Sequence, residues 1–313
     1  MKIDWQNYVI PKPKQIGRIP ITDYPLSEIR EYINWTQFFV TWEIKGRYPQ
    51  IFDNPEKGEE ARKLFDDANI MLDEIIENKL LKANAVIGLF PANTVNYDDI
   101  EIYSDENRTN LLATFNLLRQ QVSRNNAADL SLADFIAPKE SGKIDYLGIF
   151  TCTAGIGTDE LVAEYEREHD DYKSIMIKII SDRLAEAFAE LLHEKVRKDY
   201  WGFAVNEKLA VDDLLTEKYI GIRPASGYPS LPDHTENRKI MSLLDAENIT
   251  GIKLTDSCMM HPGASVSGLY FSHKESKYFA VGKLTRDQVE NYAQRKGISF
   301  DEAKKWLSQN LSF

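Results

Sequence analysis

The stretch DYKSIMIKIISDRLAEAFAELLHEKVRKDYW (residues 171–201) holds no glycine and no proline. Apolar residues recur at 172, 175, 176, 179, 180, 184, 187, 188, 191, 192 and 196, a stripe with steps of three and four. That spacing lines one face of an α-helix. A long helix near 170–200 with one buried face therefore follows, and a face of that length needs a broad partner. Short apolar or alternating runs supply it. Ala85–Phe90, stopped by Pro91, and Tyr146–Cys152 read as strands, and Asp99–Tyr103 alternates as a half-exposed strand would. Ile252–Thr255, Ser267–Phe271 and Tyr278–Val281 read as three more. Helical spacing recurs in Ser27–Phe39 (Ile29, Tyr32, Ile33, Phe39), in residues 57–81 (Leu64, Phe65, Ile70, Leu72, Ile75) and in Leu111–Val122.

Two helices close the chain, with Thr285/Gln288 and Ser299/Glu302 at the spacing of reciprocal N-terminal caps. The first 25 residues carry four prolines and no clear period, and read as an arm wrapped on the body. Helices interspersed with strands, without regular βαβ alternation, predict an α+β fold. No repeat, low-complexity tract or linker divides the chain, so residues 1–313 read as one domain.

The totals set outer limits. Hydrophobic residues are 43% and charged residues 28% of the 313, ordinary for a globular chain. A net charge of −11 argues against nucleic acid and anionic lipid as partners, since both call for a basic face. No apolar run reaches the roughly 18 residues of a membrane span, and the first residues lack the apolar segment of a signal peptide. Cys152 and Cys258 read as buried thiols in a reducing cytoplasm.

Several motifs fall short of a chemistry. TCTAGIGTDE (151–160) follows a strand, but Glu160 stands where a dinucleotide fingerprint needs a third glycine, so it reads as a strand-to-helix turn. GASVSG (263–268) has Ser267 where a nucleophile elbow needs glycine, and reads as a tight turn between strands. The histidines lack the spacing of a zinc site. Asp182 and Glu186, four apart on the long helix, share a face. They form either a solvated stripe or an anionic wall for a cationic ligand.

RPASGYPSLPDHTE (223–236) is richer. Arg223 can grip a carboxylate through two parallel hydrogen bonds, Gly227 permits close backbone approach or a positive φ, and Tyr228 offers a flat face and a hydroxyl. The loop reads as a rigid connector or as a clamp for an amino-acid-like ligand, and its composition leaves both open.

Long segments bear on that choice. The same loop, KLTDSCMMHPGASVSGLYFSHKESKYFAVGKLTRDQVENYAQRKG (253–297), INWTQFF (33–39), GLFPAN (88–93), DDIEIY (98–103), LADFIAPKESGKIDYLGIF (132–150), HDDYKSIM (169–176) and DRLAEAFAELLHEKVRKDYWG (182–202) resemble the C-terminal activation domain of cobalamin-dependent methionine synthase. The resemblance spans essentially the whole chain. It implies a C-shaped α+β body with a twisted antiparallel sheet flanked by helices. It implies a module that binds S-adenosylmethionine (AdoMet) and presents its methyl to cob(I)alamin, with a flavodoxin or flavoprotein reductase supplying one electron. The cobalamin is implied to sit on a partner module. His261 here has Met259 in place of the aspartate of the cobalamin-binding pattern.

Carried onto this sequence, the resemblance implies that Arg223 holds the AdoMet carboxylate, with Ala225, Gly227 and Tyr228 completing that loop. Tyr228 would stand close to the corrin. Glu186 would face the ammonium or ribose end, and Tyr278 and Phe279 would line the adenosine. Asn34 occupies a position where the family carries an AdoMet-binding aspartate, which implies weaker binding here. Competing readings are a stand-alone AdoMet-dependent methyltransferase of small molecules, which lacks its usual glycine-rich loop here, and an interaction module whose site has decayed at Asn34.

Overall fold

The computed structural model describes residues 3–121 and 128–313. In chain order it forms β1 (Gly17–Ile21), α1 (Leu26–Arg30), α2 (Trp35–Thr41), α3 (Gly58–Asn78), β2 (Lys82–Val95), β3 (Asp99–Tyr103), β4 (Leu111–Asn116) and β5 (Asp145–Ile156). Then follow α4 (Thr158–Arg167), α5 (Asp171–Lys195), α6 (Val211–Leu215), α7 (Glu236–Leu244), α8 (Ala246–Thr250), β6 (Lys253–Leu254), β7 (Met260–His261), β8 (Ser265–Tyr270), α9 (Arg286–Lys296) and α10 (Phe300–Trp306).

The centre is an antiparallel sheet in the order β4-β3-β2-β5-β8, with β1 also paired to β2. Successive residues of β2 point to opposite faces. Ala85, Ile87 and Leu89 join one core with Phe150 and Cys152 of β5 and the inner face of α5. Val86, Phe90 and Ala92 join a second core with Leu147, Ile149, Ile240 and Leu244 on the opposite side. A smaller cluster around Leu284, Val289 and Tyr292 holds the closing helices. A sheet buried on both faces explains why β2 and β5 read as continuous apolar runs.

The long helix is where its stripe placed it. Asp170 caps it by accepting the Lys173 N–H at 3.0 Å. Its last turn widens into a π-helical turn over Val196–Tyr200, which tucks Arg197 fully inside. Two residues of the stripe, Tyr172 and Ile175, remain exposed. TCTAGIGTDE is a strand-to-helix turn, with Gly157 leading α4; of GASVSG only Gly263 and Ala264 lie in the turn from β7, where Ser265 Oγ donates to the Pro262 carbonyl, and Ser265–Gly268 already belong to β8.

Other expectations are corrected. The helix expected over Ser27–Phe39 is two helices, because Asn34 leaves helical geometry to cap the second. The strand expected to stop at Pro91 continues to Val95. Pro91 falls between the β1 register, which ends at Leu89, and the β3 register, which begins at Ala92, so its missing N–H costs no ladder bond on that side. The helix expected over Leu111–Val122 is instead strand β4 to Asn116, paired along β3, and Val122 lies outside the described residues. Here the pairing partner overrides a helical spacing.

Asp99–Tyr103 is a strand, but Glu101 alone in it is not buried. Ile252–Thr255 shortens to β6. Tyr278–Val281 belongs to no strand. In α3, Ile70 faces solvent while Ala61, Leu64, Ala68, Leu72 and Ile75 face the core. Ser299 caps α10 by accepting the Glu302 N–H, whereas Thr285 makes no such bond at α9. Residues 17–21 of the expected arm are strand β1. The segment before it is tied down where Trp201 Nε1 donates to the Pro11 carbonyl at 2.8 Å and Lys143 Nζ donates to those of Gln6 and Tyr8.

Candidate functional site

The loop that starts at Arg223 lies along the edge of β8. Leu269 N–H donates to the Pro224 carbonyl at 3.0 Å and Ser226 N–H to the Ser267 carbonyl at 2.9 Å. This approach needs Gly268, where a Cβ would lie 2.4 Å from the Pro224 oxygen. Gly227 turns the loop with φ +87°, and a Cβ there would lie 2.1 Å from His234 Cε1. Its glycine serves the backbone and the packing on His234.

The loop, the long helix and the irregular segment after β8 enclose a cleft of about 460 Å³. Glu186, Arg223, Ala225, Tyr228, Tyr278 and Phe279 line it. A recess of about 140 Å³ shares Glu186, Glu217 and Arg223 with it and continues to Asn34, Glu190 and Tyr219. Of the expected residues, six therefore meet in one cleft. Asn34 reaches it through the recess, and Gly227 acts behind the wall. Asn34 Oδ1 is already engaged by the Gln37 N–H at 3.1 Å as the cap of α2.

The charges are arranged differently from the expected Asp182/Glu186 pair. Asp182 points to solvent and pairs with its neighbour Arg183. Glu186 accepts the Tyr228 hydroxyl at 3.0 Å. The next acid along the same face is Glu190, which is buried and takes Arg223 Nη2 at 2.9 Å. Burial acts to lower the Arg223 pKa, but Glu190 and nearby Tyr278, Tyr219 and Glu186 hold it well above its usual value. Arg223 is thus a fixed cation. Glu190 Oε1 and Arg223 Nε have no partner among the described residues, so the pair retains unused hydrogen-bonding capacity beside the recess. Burial, with Glu186 adding, pushes the Tyr228 phenol up to about 12, so it is a hydrogen-bond donor at neutral pH.

Glu190, Glu217 and Tyr219 were missed from sequence. Glu190 carried a usable signal, its position one turn beyond Glu186. Glu217 and Tyr219 carried none, since their segment has neither a strong period nor a motif. Among the described residues no cluster of three or more His, Cys, Asp or Glu side chains could hold a metal ion.

A fixed guanidinium, an adjacent carboxylate and aromatic walls beside a sheet edge form a cleft that could hold a small zwitterionic molecule with a flat apolar part. The chain belongs to the family described as the vitamin B12 dependent methionine synthase activation domain, whose model matches residues 25–297. It is similar to the solved MetH reactivation domain bound to AdoHcy, at 51% identity and a TM-score of 0.97, over 100% of this chain and 96% of that one.

Proposed function

We propose that this chain binds AdoMet in the cleft and presents its methyl to the cobalt of a cobalamin held by a separate module, as a component of methionine synthase. The observation that carries this reading is the convergence of Arg223, Glu186, Tyr278 and Phe279 on one cleft in a member of the activation-domain family.

Each residue type suits one part of such a ligand. Arg223, in the cleft lining, would grip the carboxylate with the guanidinium N–H groups that Glu190 leaves free. Glu186 stands where it balances the ammonium, with Asn34 behind the recess supplying a neutral side chain. Tyr278 and Phe279 flank the adenosine, Ala225 leaves room beside it, and Gly227 keeps the loop close. Tyr228, half exposed at the rim, would lie next to a docking corrin.

The sulfonium supplies an already activated methyl and leaves as a neutral thioether, so the chain's residues need only orient it and exclude water. This reading includes a cobalamin module as partner and a flavodoxin or flavoprotein reductase as one-electron donor. It expects no turnover from the chain alone. We place it in the cytoplasm, a reading supported by the two buried free thiols, Cys152 and Cys258. No described helix is long and apolar enough to cross a membrane.

Calorimetric titration tests the reading, with AdoMet, AdoHcy and 5′-methylthioadenosine, which lacks the amino-acid end. Saturable binding of all three is expected. Arg223→Lys keeps a cation opposite Glu190 but loses the fork, and should weaken AdoMet and AdoHcy about tenfold while sparing methylthioadenosine. Failure of the intact chain to bind AdoMet and AdoHcy overturns the reading.

A further inference from the structure

The wall formed by Tyr278, Phe279 and Ala280 lies in neither helix nor strand, so its position depends on individual bonds. Val281 N–H donates to the Pro229 carbonyl at 2.8 Å, and Gln120 Nε2 donates to the Ala280 carbonyl at 2.8 Å. A further tether is the Tyr278 hydroxyl. It accepts the Arg223 backbone N–H at 3.0 Å and pairs with the Tyr219 hydroxyl at 3.1 Å.

Tyr219 is itself held firmly. Its ring meets His193 edge-on at 4.7 Å, and the Arg197 guanidinium lies over its face at 4.4 Å. Arg197 is fully buried and forks onto Glu207, with Nε at 3.0 Å and Nη2 at 2.7 Å from Oε1. His193 is buried and stays neutral, because burial first and then the charges of Arg197 and Arg223 drive its pKa well below the usual value. Tyr219 therefore connects a rigid anchor in the π-helical turn to a wall that has no ladder of its own.

We propose that Tyr219 is a positioning residue for the ligand cleft, acting through the Tyr278 hydroxyl to hold the adenosine-side wall against the Arg223 loop. The inference rests on the proposed function for the identity of the ligand, but its geometry stands without a ligand. A packing role alone would need the ring and not the hydroxyl. The hydroxyl is spent on Tyr278, whose own hydroxyl also receives the Arg223 backbone.

The test compares Tyr219→Phe, Tyr278→Phe and the double variant. Tyr219→Phe keeps the ring against Arg197 and His193. Loss of one neutral hydrogen bond should raise the dissociation constants of both AdoHcy and methylthioadenosine by about three- to tenfold. Tyr278→Phe, which also frees the Arg223 backbone N–H, should raise them at least as much, and the double variant should bind no worse than Tyr278→Phe alone. In the ligand-free chain, hydrogen exchange over residues 277–282 should accelerate in Tyr219→Phe. Unchanged exchange there overturns the inference whether or not any ligand binds. So does wild-type affinity of Tyr219→Phe, or strictly additive effects of the two substitutions. Absence of AdoMet and AdoHcy binding by the intact chain, with accelerated exchange in the variant, overturns the proposed ligand and leaves the positioning role standing.

Discussion

Glu190 of the long helix and Arg223 of the cleft loop meet across 2.9 Å, although 33 residues separate them. Both are largely withdrawn from water, with side-chain exposures of 5% and 18%. Removing one partner of such a pair leaves an uncompensated charge, at a cost of about 3–5 kcal/mol. Glu190→Ala should destabilise the chain by the lower end of that range, since the guanidinium keeps some exposure, and Glu190→Gln by clearly less. Urea unfolding of both variants measures this. A loss below about 1 kcal/mol in Glu190→Ala would mean that the freed guanidinium reaches solvent.

Asn34→Asp restores the carboxylate that the family resemblance places at this position. Asparagine and aspartate cap helices about equally well, so stability should change little while AdoMet binds about tenfold tighter. Calorimetry with AdoMet and a thermal melt read the two effects separately. Unchanged affinity would show that Glu186 and Glu190 already balance the ligand's charge.

Gly227→Ala should fail for two separable reasons. The backbone sits at φ +87°, where a side chain costs about 1–3 kcal/mol, and the new Cβ would strike His234. The double variant Gly227→Ala/His234→Ala removes the collision and keeps the backbone cost. Its stability should therefore fall between the single variant and the parent. A single variant as stable as the parent would contradict the loop geometry.

Asp145 carries a pH signature. It is buried in β5, and burial raises its pKa to about 7 even though the Ala137 and Tyr146 N–H groups favour its ionised form. The folded state thus holds a proton that the unfolded chain releases at about pH 3.9. The stability this group contributes is present at low pH and declines as pH rises from about 4 to about 7. Asp145→Asn should remove that decline, so the stability difference between variant and parent should shift in the variant's favour across this window. A difference independent of pH between 4 and 8 would refute the raised pKa.

The far end of the cleft loop is fastened to the closing helices. Lys296 Nζ lies 2.7 Å from Asp233 and 2.5 Å from Glu236, both buried. Lys296→Met leaves buried Asp233 without its cation and Glu236 with Lys239 alone, and should cost about 3–5 kcal/mol in chemical denaturation. A stability close to the parent's would show that Lys239, which also contacts Glu236, compensates.

The sequence by itself determined the long helix, the strands at Ala85–Phe90 and Tyr146–Cys152 and the closing helices, because periodicity and caps are local properties. The family resemblance likewise implied Arg223, Glu186, Tyr228 and Tyr278 as candidate site residues. What only the tertiary structure decided depends on partners distant in sequence. Leu111–Asn116 is a strand because β3 lies beside it, and Tyr278–Val281 is not one because isolated bonds, not a ladder, hold it. The charge pattern was displaced by one turn, from Asp182/Glu186 to Glu186/Glu190. Spacing along a helix tells which residues share a face, but the loop that crosses the face chooses which of them it meets.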